Sequence, residues 1–298
     1  FGQQEAATGA MTVPFLTRFV HAAAVALPAI IAVLSAFAFL LTLTASNPVV
    51  VKEFRTRVMG RMHWMMRLIG ACLIVSLGLT LVAAQWAQAE VEKVGYLGGA
   101  LVILQTAVVI LITPAISAGL ISMELETGSW QLLLTTRLKP FGIVLGKLLS
   151  VALTVVLLLL ATMPGYLVLL VMDEGLLQRV GDVLVTVALT ALFALLLGAA
   201  CSSLFRKTAA TTTTAYLILV GLCVGTLVFW LGEGTLFGGG LVEQVLVFNP
   251  LAAALSAMRM SGFESYQLIH RNWTFLGIAS GVCAVVLWIR VWWISRPQ

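Results

Sequence analysis

Long apolar runs separated by short polar breaks make up most of this chain. The runs are continuous rather than alternating, over roughly 22–44, 67–86, 97–121, 141–172, 180–204, 212–232 and 273–294. About 20 apolar residues in helical conformation cross the hydrocarbon core of a bilayer. Strands of a membrane barrel would instead alternate apolar and polar side chains. In lipid every backbone polar group must be satisfied internally, which leaves helix bundles and closed barrels. The pattern therefore predicts an all-α, polytopic integral membrane bundle with about seven spans. Composition agrees: 61% of residues are hydrophobic and 10% charged, with a mean hydropathy of +1.07. Soluble domains carry about 25% charged residues.

The breaks carry the information. Ser122-Met123-Glu124-Leu125-Glu126-Thr127-Gly128-Ser129-Trp130 separates two apolar runs. Carboxylates are expensive in hydrocarbon, so this stretch reads as a loop in water. Thr127 or Ser129 is placed to cap a short helix with Trp130, Leu133, Leu134 and Leu138 on one side. Either the bundle ends or a partner would cover that side. Glu124 and Glu126 are two apart and point in nearly opposite directions on a helix, which argues against a shared proton or metal. The plainer alternative is a solvated turn with two surface acids.

Residues 48–66 place Val50, Phe54, Val58 and Met62 at helical spacing behind an Asn47-Pro48 start signal. This is either an amphipathic entry helix or a basic stop-transfer flank. Residues 233–272 contain Gly238-Gly239-Gly240 and Phe248-Asn249-Pro250-Leu251. Asn249 as N-cap and Pro250 as first helical residue suggest short helices dipping back into the membrane, with an ordinary loop helix as the alternative. Pro114 and Pro164 should kink their spans. Glycine pairs at Gly142/Gly146, Gly221/Gly225 and Gly277/Gly281 permit close helix approach.

Basic residues sort by topology. Lys52, Arg55, Arg57, Arg61, Arg67, Arg137, Lys139, Lys147, Arg206, Lys207, Arg290 and Arg296 fall in one set of alternating regions, and only Arg18, Lys93, Arg179, Arg259 and Arg271 in the other. The positive-inside rule puts the larger set, and the C-terminus, in the cytoplasm. The net charge of +5 follows topology and forms no patch for nucleic acid. The first span reads as a signal anchor, an appended helix or the tail of a longer N-terminal region. Cys72, Cys201, Cys223 and Cys283 lie inside apolar runs without metal-ligand spacing. His21, His63 and His270 lie far apart and flank spans. Gly142-Ile143-Val144-Leu145-Gly146-Lys147 is one residue short of a phosphate-binding loop and lacks a preceding strand. The spans are almost free of charge, so uphill transport would need energy from another chain.

Taken together, these segments resemble the transmembrane subunit of an ATP-binding-cassette exporter of the type-2 permease family. The matching segments are Asn47-Pro48-Val49-Val50-Val51-Lys52-Glu53; Glu124-Leu125-Glu126-Thr127-Gly128-Ser129 with Leu132-Leu133-Leu134-Thr135-Thr136; Ile143-Val144-Leu145-Gly146-Lys147-Leu148-Leu149; Ser202-Ser203-Leu204-Phe205-Arg206-Lys207-Thr208-Ala209; and Phe248-Asn249-Pro250-Leu251. The resemblance covers about residues 47–298. It implies a six-helix permease domain over 47–298, with 1–46 as an N-terminal extension adding a seventh span.

In that scheme residues 122–139 look like the coupling helix region that docks on an ATPase. Glu124, Glu126, Gly128, Trp130, Arg137 and Lys139 are its expected contacts. Residues 48–66 look like the elbow helix at the inner surface, with Lys52, Arg55, Arg57 and Arg61. Residues 233–272, with Asn249 and Pro250, look like the external re-entrant region. The resemblance implies two permease subunits, homo- or heterodimeric, over two ATPase subunits that bind ATP and Mg. This chain itself would hold no cofactor or metal and perform no catalysis.

The function expected is substrate export across a plasma membrane, the bacterial inner membrane. An accessory protein is a candidate partner for the extra helix. The alternative is a mechanotransmission scaffold that drives an extracytoplasmic partner and moves no substrate. An intramembrane enzyme would need polar catalytic groups within the spans, and none is placed for the task.

Overall fold

The computed structural model describes residues 92–296 except 136–139, 173 and 235, together with scattered helical positions between 67 and 78. The expected spans over 22–44 and, beyond those positions, 67–86 lie outside the described residues. So do the 48–66 helix with Lys52, Arg55, Arg57 and Arg61, and the two bases Arg137 and Lys139.

The helices from residue 92 onward are α1 (Glu92–Ser117), α2 (Gly119–Glu126), α3 (Ser129–Leu134), α4 (Pro140–Met172), α5 (Leu177–Leu204), α6 (Thr208–Leu231), α7 (Gly239–Leu246), α8 (Pro250–Ala257) and α9 (Ile269–Ile294). A 3₁₀ turn, Glu174–Leu176, precedes α5. Five stretches are long and apolar enough to cross a membrane: Gly98–Glu126, Pro140–Leu167, α5, α6 and α9. The pair α7–α8, bent by 105°, raises the number to six if it counts as one broken span. Among the described residues the chain is thus a polytopic helical bundle without a named strand.

The centre of the bundle is α5, which packs most extensively on α9 and α1. Its apolar core is 67% buried, against 22% for α6 and for α9. The sequence explains this. Thr186, Thr190, Ala191, Ala194, Gly198, Ala199 and Ala200 are small and buried on α5. Small residues let helices approach closely where lipid supplies no hydrophobic drive between them. At Gly198 the approach is tightest, since an added Cβ would lie 1.9 Å from Ser117 Oγ on α1. The glycine pairs singled out by spacing do not do this job inside the chain. Positions Gly142, Gly221, Gly225, Gly277 and Gly281 all face open space.

Several polar groups inside the spans are bonded locally or across helices, whereas the buried hydroxyls of Thr106, Thr113, Ser117 and Ser280 have no hydrogen-bond partner among the described residues. Gln105 Nε2 donates to Thr162 Oγ1 at 2.8 Å, and Tyr166 donates to Gln105 Oε1 at 2.6 Å, joining α1 to α4. The threonine run that opens α6 is satisfied by its own helix. Thr211, Thr212 and Thr214 each donate to the carbonyl four residues back. This helix therefore begins at Thr208 rather than 212.

Candidate functional site

The acidic stretch is helical where a water-filled loop was expected. Helix α2 follows α1 after a single turn residue, Ala118, and runs through Glu126. The break is confined to Thr127 and Gly128. Gly128 turns the chain with φ 71° and is itself the N-cap of α3. This left-handed conformation favours glycine because a Cβ would crowd the backbone. The expected caps, Thr127 and Ser129, do not cap α3. Thr127 Oγ1 donates back to Met123 O at 2.9 Å, and Ser129 Oγ donates to Glu124 Oε2.

The two carboxylates do diverge, and each one ties α2 to another helix. Glu124 Oε1 accepts from Lys147 Nζ of α4 at 2.7 Å. Lys147 also donates to Leu120 O at 3.2 Å, and its side chain is almost fully buried. Glu126 Oε2 accepts from Thr208 N at 3.0 Å and Thr208 Oγ1 at 2.7 Å. These are the free donors of the first turn of α6, where a negative charge is favoured.

A third tie comes from α5. The turn at Ala118 leaves N–H groups at the start of α2 without helical partners. Ser202 Oγ accepts two of them, from Ile121 at 2.7 Å and Ser122 at 2.9 Å. One residue further along α5, Ser203 O accepts from Arg290 Nε at 3.4 Å and Nη2 at 3.3 Å, which brings in α9. A cation at the last carbonyls of a helix suits its dipole.

Trp130 is buried at 4% exposure and belongs to the same core cluster as Leu120, Ile121 and Val144. It plugs α3 into the bundle end. Leu133 packs beside it. The outward side of the segment is formed by Met123, Thr127, Gly128, Gln131 and Leu132, with Leu132 71% exposed. Glu124 and Trp130 thus turn into the bundle, whereas Glu126 and Gly128 lie on the exposed side of the segment beside Met123, Gln131 and Leu132, which the sequence reading did not select. Lys147, Ser202 and Thr208 were also missed as partners. A lone lysine seven residues into an apolar helix was the available signal for the first. No periodicity marks the other two.

Residues 233–272 share the main core through Val242, Leu246 and the buried alanines of α8, and carry several polar ties. Asn249 caps α8, with Oδ1 accepting from Leu251 N and Ala252 N, and Pro250 follows in the first turn. Asn249 Nδ2 also donates to Cys223 O of α6 at 2.9 Å, and Asn272 Nδ2 to Val247 O at 2.8 Å. These bonds fasten the bent pair to α6 and α9. Tyr266 donates to Glu233. Its phenol is pushed up to about 12, first by burial and then by that carboxylate, so it remains a neutral donor at physiological pH. Among the described residues no three acidic, histidine or cysteine side chains cluster as a metal site.

No curated protein matches the chain at a significant level. A family model described as "ABC-2 family transporter protein" matches residues 82–289, well over half of the sequence and every spanning helix described above apart from the last five residues of α9. The chain belongs to the ABC-2 transporter family and is a multi-pass membrane permease of an ABC transporter.

Proposed function

We propose that this permease is one half of an ABC exporter whose α2–α3 segment receives the motion of a separate ATPase subunit. Membership of the family implies association with such a subunit. The observation that carries the reading is the wiring of α2, whose few residues are bonded to α4 through Glu124–Lys147, to α5 through Ser202 and to α6 through Glu126–Thr208. A push on this segment reaches three helices at once. Coupling between distant sites needs an element with two arrangements that both sites bias, and in this reading the segment bounded by Ala118 and Gly128 is that element. ATP and Mg are bound by the ATPase, and two permease subunits surround the path. The segment faces the cytoplasm, as does the C-terminus, in a bacterial inner membrane.

In this reading Leu132, Met123 and Gln131 make the direct contact, while Glu124, Glu126, Gly128 and Trp130 hold the segment in shape. Leu132→Glu tests it, because an exposed leucine contributes little to the fold of the chain. Co-purification with the ATPase should fall at least about tenfold, the weight of a single interface hot spot, while the permease still expresses and folds. Undiminished assembly and hydrolysis in that variant would remove the segment from docking. Efflux from liposomes containing both subunits, dependent on ATP, tests export itself.

A further inference from the structure

At the other end of α5 a cavity of about 870 Å³ opens between the first turns of that helix and the stretch joining α8 to α9. Roughly 30 Å of helix separate Asp182, on its wall, from Ser202. The lining includes three guanidinium groups, Arg179, Arg259 and Arg271, with His270 and the carboxylates of Asp182 and Glu264. None of the three guanidinium groups makes a hydrogen bond or ion pair with a described residue. Three guanidinium groups against two carboxylates leave the wall with a net positive charge, without counting His270.

Arg259 adds a second, independent observation. It is the one non-glycine position among the described residues with a positive φ, 51°. Met260 N donates to Leu255 O at 3.2 Å and Arg259 N to Ser256 O at 3.0 Å. This is the paired bonding that ends a helix with a left-handed residue, a place usually filled by glycine. An arginine there carries a steric cost. Strain of this kind persists where the side chain has work to do, and here the side chain lines the cavity.

We propose that this cavity binds a phosphate group, carried by a lipid headgroup or free in solution. The guanidinium fork matches phosphate oxygens in pairs. A free phosphate offers up to four oxygens to the arginines, and a phosphodiester headgroup offers two non-bridging ones that share a single negative charge. The carboxylates in the wall repel an extended polyanion and restrict the occupant to a compact group seated among the arginines. The site needs nothing from the far end of α5 and stands whether or not an ATPase docks there.

The test uses the full chain purified in detergent and in lipid nanodiscs, with its ATPase where that co-purifies. In detergent, melting temperature is followed against inorganic phosphate, with chloride at equal ionic strength as reference. In nanodiscs, phosphatidylcholine alone is compared with phosphatidylcholine plus phosphatidylglycerol, and retained phospholipid is read by native mass spectrometry. A saturable response to phosphate identifies a free anion, and a response confined to phosphatidylglycerol identifies a headgroup. Arg179→Gln and Arg271→Gln should each weaken the response about tenfold, the worth of one charged hydrogen-bonding contact. Arg259→Gly should weaken it equally while suiting the backbone better than arginine does, which separates binding from folding. No response to either probe, or an undiminished response in all three variants, would overturn the site.

Discussion

The two ends of α5 treat charge in opposite ways. At its C-terminal end Lys147, Glu124, Glu126 and Arg290 each bond to a partner within the chain. At its N-terminal end the guanidinium groups of Arg179, Arg259 and Arg271 bond to none of the described residues. Both ends mix acids and bases, so composition does not separate them; pairing does. Paired charges between helices fix relative positions and transmit force. Unpaired charges around a cavity keep their interaction energy for a ligand. The lesson is that in a bundle this poor in charge, the partner of each charge says more than its sign.

The largest effect should come from breaking the pair at the wired end. Glu124→Gln takes the carboxylate charge away from the buried Lys147 cation, which keeps its bond to the Leu120 carbonyl. Removing one partner of a buried ion pair costs about 3 kcal/mol, the low end of the usual range, because Glu124 is 23% exposed. Thermal unfolding in detergent measures it. The double variant Glu124→Met with Lys147→Met should recover most of that loss, since no charge is stranded. It should also fold and, with its ATPase subunit, still support ATP hydrolysis but with weakened transport, because the tie between α2 and α4 is gone. A single variant as stable as the parent would show that the pair holds nothing. By contrast, Arg179→Gln at the other end should leave stability nearly unchanged.

Much of the bundle was legible in sequence because hydrocarbon imposes a simple rule of length and polarity. The spans from residue 97 onward coincide with observed helices with ends shifted by a few residues, except that 97–121 runs across the turn at Ala118 into α2. The site was legible in place but not in geometry. Glu124 and Glu126 read as loop residues because a carboxylate near hydrocarbon is expensive when alone, and a single sequence does not show that Lys147 lies 23 positions away along the chain and 2.7 Å away in space. For Trp130 the sequence left open whether the bundle or a partner covers it, and its cover comes from Leu120, Ile121 and Val144 of other helices. Spacing rules misdirected the glycines: Gly198, which sits in no glycine pair, makes the tight contact, and Gly221, Gly225, Gly277 and Gly281 do not. Close approach depends on what stands opposite, which periodicity does not record.

Gly198 supports a prediction of intermediate size. In Gly198→Ala the new methyl would sit 1.9 Å from Ser117 Oγ and 2.9 Å from Ser117 Cβ, beside the turn at Ala118. A helix interior relaxes only partly around an added carbon, and the expected loss is about 2 kcal/mol in the same unfolding assay. Ser117→Gly in the same chain removes both clashing atoms and should restore most of it. If Gly198→Ala is neutral on its own, α5 and α1 are not locked at this point, and α5 is free to move against the turn at Ala118.

The smallest effect belongs to Glu126, the most exposed tie of the wired end. Its carboxylate accepts from Thr208 N and Oγ1, so Glu126→Gln keeps an acceptor for both donors and removes only the charge at the start of α6. A surface charge facing a helix terminus is screened by salt. The melting temperature of Glu126→Gln should therefore lie slightly below the parent at low salt and converge with it as salt rises. Glu124→Gln should stay far below at every salt concentration, because a buried pair is screened much less. That crossing of salt dependences divides the wired end into a core and a rim. If both variants converge with the parent at high salt, Glu124–Lys147 behaves as a surface contact and the contrast between the two ends of α5 collapses.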